Sequence, residues 1–169
     1  FFAGNVDALI AAQPKDLEAS EIEVRLGATW FDKKYIEQFM YETFETPRYL
    51  RGQIEISYVP YTAEWQVSRK SMVRYNDVAA FTTYGTDRAS AYRLLEDALN
   101  LRDIRIYDTI EDADGRERRV LNAKETTLAA QKQQLIRDAF KDWIWKDPER
   151  RETLVRQYNE EMNSTRPRE

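Results

Sequence analysis

The stretch QIEISYVPYTAEWQVS, residues 53–68, decides the fold class because its hydrophobic period is two. Apolar side chains alternate with polar ones in each half of the stretch: Ile54, Ile56 and Tyr58, then Trp65 and Val67. Such alternation is typical of a half-buried β-strand, and the PYTA segment between the halves has the length of a hairpin turn. We therefore predict a β-hairpin in a chain whose other apolar residues recur mostly at helical spacing.

A second hairpin is predicted further along the chain, with strands DIRIYDTI and RRVLN. The strands are separated by EDADGRE, in which Asp114 and Gly115 form a dipeptide that favours a tight turn. Helices are predicted on either side of both hairpins. The expected fold class is therefore α+β: helices packed with two β-hairpins that form a small antiparallel sheet, and a long C-terminal helical pair.

Helical spacing of apolar residues predicts helices over residues 5–12, 14–30, 32–44 and 85–100. In the second of these segments Leu17, Ile22 and Leu26 are spaced for one helical face, and Gly27 is a natural C-terminal stop. Asp32 is the expected N-cap of the third helix.

Two local features between the hairpins are less regular. The segment AAFTTY, residues 79–84, is ambiguous and could add a strand. Thr86 is the expected cap of the helix that follows it, with Leu94, Leu95 and Ala98 facing inward.

The C-terminal helical pair covers residues 123–169. Asn122 is the expected cap of its first helix, and apolar residues recur along that helix at helical spacing: Leu128, Leu135, Ile136, Phe140, Trp143 and Ile144. Asp147 followed by Pro148 predicts the cap and the first residue of a second helix.

The composition excludes much chemistry. The chain has 169 residues and a net charge of −4, with neither Cys nor His. A disulfide framework, a Ser-His-Asp triad, a thiolate nucleophile and an ordinary zinc site are therefore excluded. No apolar run approaches the ~20 residues of a membrane span, so no membrane partner is expected, and the lack of Cys fits a cytoplasmic location.

Two motifs resemble ligand sites and fail on their spacing. The DADG sequence at 112–115 resembles the start of a calcium loop, but Ala123 stands where the loop needs its glutamate. The YGTDR sequence at 84–88 lacks the Gly-Lys-Ser/Thr of a phosphate loop. We therefore predict no catalytic residue, no metal site and no cofactor in this chain.

Aromatic and basic residues interleave in WQVSRKSMVRYN, residues 65–76. The candidate contact residues here are Trp65, Arg69, Lys70, Arg74 and Tyr75. Aromatic platforms beside cations can hold single-stranded nucleic acid. The alternative is a hairpin whose aromatic residues face the core and whose basic residues are solvated, and the sequence leaves both interpretations open.

A second candidate cluster lies at the helix break in KDWIWKDPERRETLVRQYN, residues 141–159. Trp143 and Trp145 are about 200° apart on a continuous helix, so they cannot share a face. Trp143 is in register with Phe140 and is expected in the core. Trp145 is off that stripe, and Arg150 and Arg151 follow it in the first turn of the next helix, where the helix dipole disfavours cations. These three residues are predicted to contact nucleic acid or a neighbouring domain.

Several long blocks of the sequence together resemble one family: PKDLEASEIEVRLGATW, YTAEW, YGTDRASAYRLLEDALNLRD, DADGRERRVLNAKETT and FKDWIWKDPERRETLVRQYNEEMNSTRPRE. They resemble the segment between the methylase and helicase regions of the very large Swi/Snf-type helicase and adenine-specific DNA methylase proteins of bacterial mobile genetic elements. The resemblance includes neither helicase nor methylase catalytic motifs. It implies a single accessory domain, residues 1–169, within a much longer chain, with residues 123–169 leading toward a helicase core.

The function expected from this resemblance is a non-catalytic accessory domain that positions DNA or couples the helicase and methylase regions. The parent chain would be an ATP-dependent helicase and DNA methyltransferase, and the partners would be DNA and the neighbouring domains. The alternative is a structural or protein-interaction module without nucleic-acid contact, which the acidic net charge favours.

Overall fold

The computed structural model describes residues 15–163, so the helix expected at 5–12 lies outside the described part of the chain. The strands are β1 (Ile56–Val59), β2 (Glu64–Val67), β3 (Tyr107–Glu111) and β4 (Glu117–Leu121). The α-helices are α1 (Lys33–Thr43), α2 (Ala91–Leu99), α3 (Ala123–Lys146) and α4 (Pro148–Tyr158). Short 3-10 turns occupy Ala19–Glu21, Arg48–Leu50 and Lys70–Met72, and π-helical turns occupy Ala79–Thr83 and Asn159–Asn163.

The chain divides into two compact units by its internal contacts. The central unit is residues 25–143, and the described part of the terminal unit is residues 15–24 together with 144–163. No helix of the described chain is long and apolar enough to cross a lipid bilayer.

The α+β class is confirmed, and both predicted hairpins are present. β1 pairs antiparallel with β2, and β3 pairs antiparallel with β4. Between residues 15 and 163 the two hairpins form separate two-stranded sheets rather than one common sheet.

The segment 14–30 is not a helix, which corrects the prediction made from Leu17, Ile22 and Leu26. Apart from the short 3-10 turn it has no helical structure within the described residues, and its side chains from Ile22 to Leu26 alternate between buried and exposed. The intervening Val24 is also buried, so the period is two and not 3.6. The β-branched pair Ile22 and Val24 fits this extended backbone, and burial on alternate sides replaces the expected helical stripe.

Gly27 follows this extended segment with a φ of +93°, in the region that favours glycine. A Cβ atom at this position would collide with the backbone carbonyl oxygen of Leu99, at the end of α2. Gly27 therefore permits the close approach of two backbones in the central unit.

The region between the hairpins differs from its prediction in two respects. Residues 79–83 form a π-helical turn and add no strand. Ser90, not Thr86, caps α2, because the Ser90 side chain accepts a hydrogen bond from the backbone N–H of Arg93. The Thr86 hydroxyl instead accepts from the backbone N–H of Ala89 and closes a turn that precedes the helix.

The core of the central unit forms between α1, α2 and the first hairpin. Asp32 caps α1 as predicted, by accepting a hydrogen bond from the N–H of Lys34. The largest fully buried side chains include Ile36, Phe39, Met40, Ile54, Ile56, Leu94, Leu95 and Leu99. The predicted inward face of α2 is therefore confirmed, and burial of the side chains of both helices is the main stabilising contribution.

α3 begins as predicted, since the side chain of Asn122 accepts a hydrogen bond from the N–H of Glu125. Its inward face differs from the prediction, because Leu128 and Leu135 are exposed. The buried side chains of the helix within the central unit are Ala129, Gln133, Ile136 and Phe140. Ile136 and Phe140 are thus buried as predicted, whereas Ala129 and Gln133 lie on the buried face in place of Leu128 and Leu135. Apolar periodicity does not detect a buried glutamine.

Polar side chains on helices take the place of a missing neighbouring strand at several extended segments. The Asn100 side chain accepts from the N–H of Trp65 at 2.7 Å and donates to the carbonyl of the same residue at 2.9 Å. Gln133 accepts from the N–H of Ile104 and donates to the carbonyl of Arg102, and Thr126 bonds both backbone groups of Ile106. An amide or hydroxyl side chain thus satisfies backbone groups at the outer edge of β2 and in the extended segment 102–106.

The terminal unit contains the same device. The Asn159 side chain accepts from the N–H of Leu17 at 2.7 Å and donates to its carbonyl at 2.9 Å. Asp147 caps α4 and Pro148 is its first residue, as predicted. Leu154 is fully buried.

Candidate functional site

The first predicted contact cluster is partly internal. Trp65 is only 5% exposed, and its ring lies 4.8 Å from that of Tyr58. Lys70 forms an ion pair of 2.7 Å with Glu96 of α2. The carboxylate of Glu96 also accepts from the N–H of Val67, so Lys70 and Glu96 together cap the outer edge of β2. Trp65 and Lys70 therefore serve the fold of the hairpin.

The remaining residues of this cluster lie on an exposed loop. Arg69 and Arg74 are exposed and form no ion pair within the described residues. Tyr75 is 68% exposed, and its ring lies tilted against that of Phe81 with centroids 5.4 Å apart. The loop patch, residues 69–78, is therefore the part of the predicted cluster that is available to a partner.

The loop patch also exposes apolar side chains that the sequence interpretation did not include. Met72 is exposed, and Val78, three residues after Tyr75 in the sequence, is 65% exposed. Arg69 lies at a φ of +53°, a left-handed conformation that is uncommon for a residue with a side chain. An apolar group flanked by cations is a common composition of a contact surface.

The second predicted cluster lies in the terminal unit. Trp145 is half-buried and Arg151 is exposed. Arg150 donates from its backbone N–H to Asp147 and from Nε to the carbonyl of Ile144. The Arg150 guanidinium therefore helps to hold the turn between α3 and α4, which explains a cation in the first turn of a helix.

A groove of about 1160 Å³ adjoins Trp145 in the terminal unit. Its lining includes Leu17, Ile22, Trp145, Arg151, Val155 and Arg156. Acidic side chains of the same groove, among them Asp16 and Glu152, balance the two arginines. The groove is thus an apolar depression with a rim of mixed charge.

Trp143, which was expected in the core, lies in the central unit and is half-buried, as is Trp145. Its ring packs edge-on against Phe39, with centroids 5.7 Å apart, and it is half-buried. Its indole N–H donates to Glu42. Trp143 is therefore a packing residue of the central unit.

The second hairpin is an exposed surface that sequence reasoning did not identify. Every residue from 109 to 121 is exposed, including the apolar Ile110, Val120 and Leu121. Ion pairs accompany these residues, with Arg118 bound to Asp112 and Arg88 bound to Asp108. The strong turn dipeptide identified the hairpin itself, but no feature of its sequence indicates that neither face is covered.

Titratable groups do not converge on a reaction centre in the described part of the chain. No group of three or more metal-ligating side chains occurs among residues 15–163. Burial raises the pKa of Asp97, and the hydrogen bond from Arg88 lowers the pKa of Asp108. These two carboxylates have separate structural partners, and their shifts follow from those local partners.

The described residues define a class of α+β fold with two separate two-stranded sheets and a buried core in the central unit. The chain belongs to the family described as a domain of unknown function, DUF8437, whose model matches residues 25–164. No curated protein and no solved structure matches the chain.

Proposed function

We propose that this chain is a non-catalytic accessory domain of a large helicase and DNA methylase, which docks on neighbouring domains through protein contacts. The observation that carries the proposal is the loop patch, which exposes Tyr75 and Val78 while Trp65 and Lys70 of the same cluster are committed to the fold. The cytoplasmic location and the parent activities are part of this proposal and rest on the sequence resemblance.

Charge supports protein contacts over nucleic-acid contacts. The net charge is −4, and a DNA-binding surface needs a wide basic area to neutralise phosphates. Lys70 is neutralised by Glu96, and Arg150 is bound to the backbone of Ile144. An exposed tyrosine close to arginines, as Tyr75 is to Arg69 and Arg74 in sequence, matches the residue types that dominate protein interfaces.

A second candidate function is the positioning of single-stranded DNA by the same loop. Its support is that Arg69, Arg74 and Tyr75 are all exposed within seven residues, and neither arginine has an ion-pair partner in the described chain. An aromatic ring beside two cations is the minimal arrangement for base stacking with phosphate contact.

One experiment separates the two functions. The domain is titrated with the separately produced helicase and methylase regions of the parent chain, and with single- and double-stranded DNA at low and high salt. Protein docking predicts binding to one of the two regions, which Tyr75→Ala weakens by about tenfold or more. DNA positioning predicts binding to DNA that falls steeply with salt and is lost in an Arg69→Ala, Arg74→Ala double variant.

The matched control is Tyr61→Ala, because Tyr61 is 97% exposed but lies in the turn of the first hairpin, outside the loop patch. It should bind as the unmodified chain does. Absence of binding to both protein regions, with salt-dependent DNA binding, would replace the first function by the second. Equal loss in Tyr61→Ala and Tyr75→Ala would show that the loop patch is not the contact.

A further inference from the structure

The groove of the terminal unit presents apolar side chains that the described part of this unit does not cover completely. Its lining residues belong to the terminal unit on both sides: residues 16–20 and Ile22 on one side, and Trp145 with one face of α4 on the other. Leu17, Trp145 and Val155 are each half-buried. A concave surface of about 1160 Å³ with such walls has the size and composition of a binding site.

Two segments outside the described residues are joined to this groove through the chain. Residues 1–14 lead to Asp16 in the groove lining, and residues 164–169 follow the π-helical turn that contributes Asn159. The sequence of residues 164–169, STRPRE, has no large apolar side chain. Residues 1–14 have several: Phe1, Phe2, Val6, Leu9 and Ile10. Of the two segments, only the N-terminal one can bury a substantial apolar surface against the groove.

We propose that the N-terminal segment, residues 1–14, occupies this groove with Val6, Leu9 and Ile10 facing its walls. In the helix expected over residues 5–12, these three residues have the i, i+3 and i+4 spacing of a single face. The groove is separate from the loop patch, so the inference does not depend on the proposed function.

The short connection favours this occupant over a free partner. Only residues 13–15 link the end of the expected helix to Asp16, and four steps along the backbone span at most about 14 Å. The helix therefore has to stay near the groove. A short tether gives a segment an effective concentration in the millimolar range, so a free partner of similar chemistry competes only at a comparable concentration.

The charges of the groove are compatible with this segment. Asp7 is its one charged side chain, and it contains no Lys or Arg. Arg151 and Arg156 line the groove and form no ion pair within the described residues, so either can bind the carboxylate of Asp7. The acidic lining residues Asp16 and Glu152 are exposed and can stay in contact with solvent.

NMR of the full chain with labelled methyl groups tests the contact directly. We expect nuclear Overhauser effects from the methyl protons of Val6, Leu9 and Ile10 to the protons of Trp145 and Val155. If none of the three side chains shows such an effect to either groove residue, the proposal is wrong.

A pair of double variants tests which face of the segment is in contact. Leu9→Ser with Ile10→Ser removes two of the proposed contacts. Ala8→Ser with Ala11→Ser is the matched control, because it introduces the same number of serines on the opposite face of the expected helix.

Amide hydrogen exchange at Leu17 is the measurement, because its N–H donates to Asn159 and both residues line the groove. We expect exchange to be at least about tenfold faster in the Leu9, Ile10 variant, and to stay within about twofold of the unmodified chain in the control. Equal exchange in the two variants overturns the proposal. Binding of an apolar dye to the unmodified chain as strongly as to the Leu9, Ile10 variant also overturns it, because the groove would then be open to an external ligand.

Discussion

Tyr92 shows how one polar atom is accommodated in the aromatic core of the central unit. Its side chain is fully buried, and its ring packs edge-on against Phe44 with centroids 5.3 Å apart. Its hydroxyl shares a hydrogen bond of 2.6 Å with the buried hydroxyl of Thr46. Burial raises the pKa of Tyr92 to about 12, against the lowering effect of the bond with Thr46, because the anion would be poorly solvated there.

This shift predicts a specific loss of stability at high pH. The pKa is raised in the folded state, so the contribution of Tyr92 is complete below pH 10, decreases between pH 10 and about 12, and is lost above that range. Over the whole of this pH range the free energy of unfolding falls by about 2–3 kcal/mol because of Tyr92. In Tyr92→Phe the loss of the hydrogen bond costs about 1–2 kcal/mol at pH 8, and this cost should shrink by about 1 kcal/mol at pH 11. Urea unfolding of both proteins at the two pH values measures the difference.

Tyr61→Phe is the control, since the ring of Tyr61 is 97% exposed. It should unfold with the midpoint of the unmodified chain at both pH values. A cost of Tyr92→Phe that is the same at pH 8 and pH 11 would show that Tyr92 does not link folding to proton release in this range.

The sequence predicted the role of a residue correctly where that role depends on local backbone geometry. It did not determine the role where that role depends on burial in the folded chain. Asp32, Asn122 and Asp147 were correctly predicted as caps, because capping depends on a few neighbouring backbone groups. Trp65 was named as a candidate contact, and its burial follows from tertiary packing of the hairpin. Gln133 was missed, because a buried amide that bonds distant backbone groups leaves no trace in hydrophobic periodicity.

At the scale of elements, the hairpins depend on side chains that replace a neighbouring strand. Asn100 provides the clearest case, because its amide bonds both the N–H and the C=O of Trp65 and also donates to the carbonyl of Glu96. We expect Asn100→Ala to reduce the free energy of unfolding by about 2–3 kcal/mol, since it leaves two partly buried backbone groups without partners. Asn100→Asp should cost a similar amount, because a carboxylate cannot donate to the carbonyl. Urea unfolding and amide exchange at Trp65 measure both effects.

Asn76→Ala is the matched control for these variants. Asn76 is exposed in the loop patch, so its replacement should change stability by no more than about 0.5 kcal/mol. A stability of Asn100→Ala equal to that of Asn76→Ala would mean that solvent satisfies the edge of β2 as well as the amide does.

The strands and helices also explain why the sequence predicted the two hairpins but did not predict that they form separate sheets. Alternation over residues 53–68 and the Asp114–Gly115 turn are local signals, and they predicted both hairpins. Outer backbone groups of Ile56 in β1 and of Trp65 and Val67 in β2 are bonded by Lys33, Glu37, Glu96 and Asn100. These four residues are distant from the strands in sequence, so the separation of the two sheets has no local signal. The segment 14–30 failed for a related reason, since three apolar residues fit both a helical face and an alternating strand.

At the scale of the whole molecule, the central unit contains a complete hydrophobic core. The buried residues of α1, α2 and the first hairpin all lie between residues 25 and 143, and so does Phe140, whose ring stacks on Phe31 at 6.2 Å. The family match covers residues 25–164, which includes all of this unit and continues beyond it. A chain with its own closed core is expected to fold independently.

We therefore expect a fragment of residues 25–143 to unfold cooperatively in urea and to keep the amide resonances of α1, α2 and the first hairpin close to their positions in the full chain. The control fragment 33–143 lacks Leu26 and Phe31, which are 5% and 4% exposed, so it loses two core side chains and should be less stable by several kcal/mol. Urea unfolding and two-dimensional NMR of both fragments provide the measurement. If the 25–143 fragment unfolds without cooperativity and has the narrow amide dispersion of an unfolded chain, then the central unit requires the terminal unit, and the core between residues 25 and 143 is not sufficient for folding.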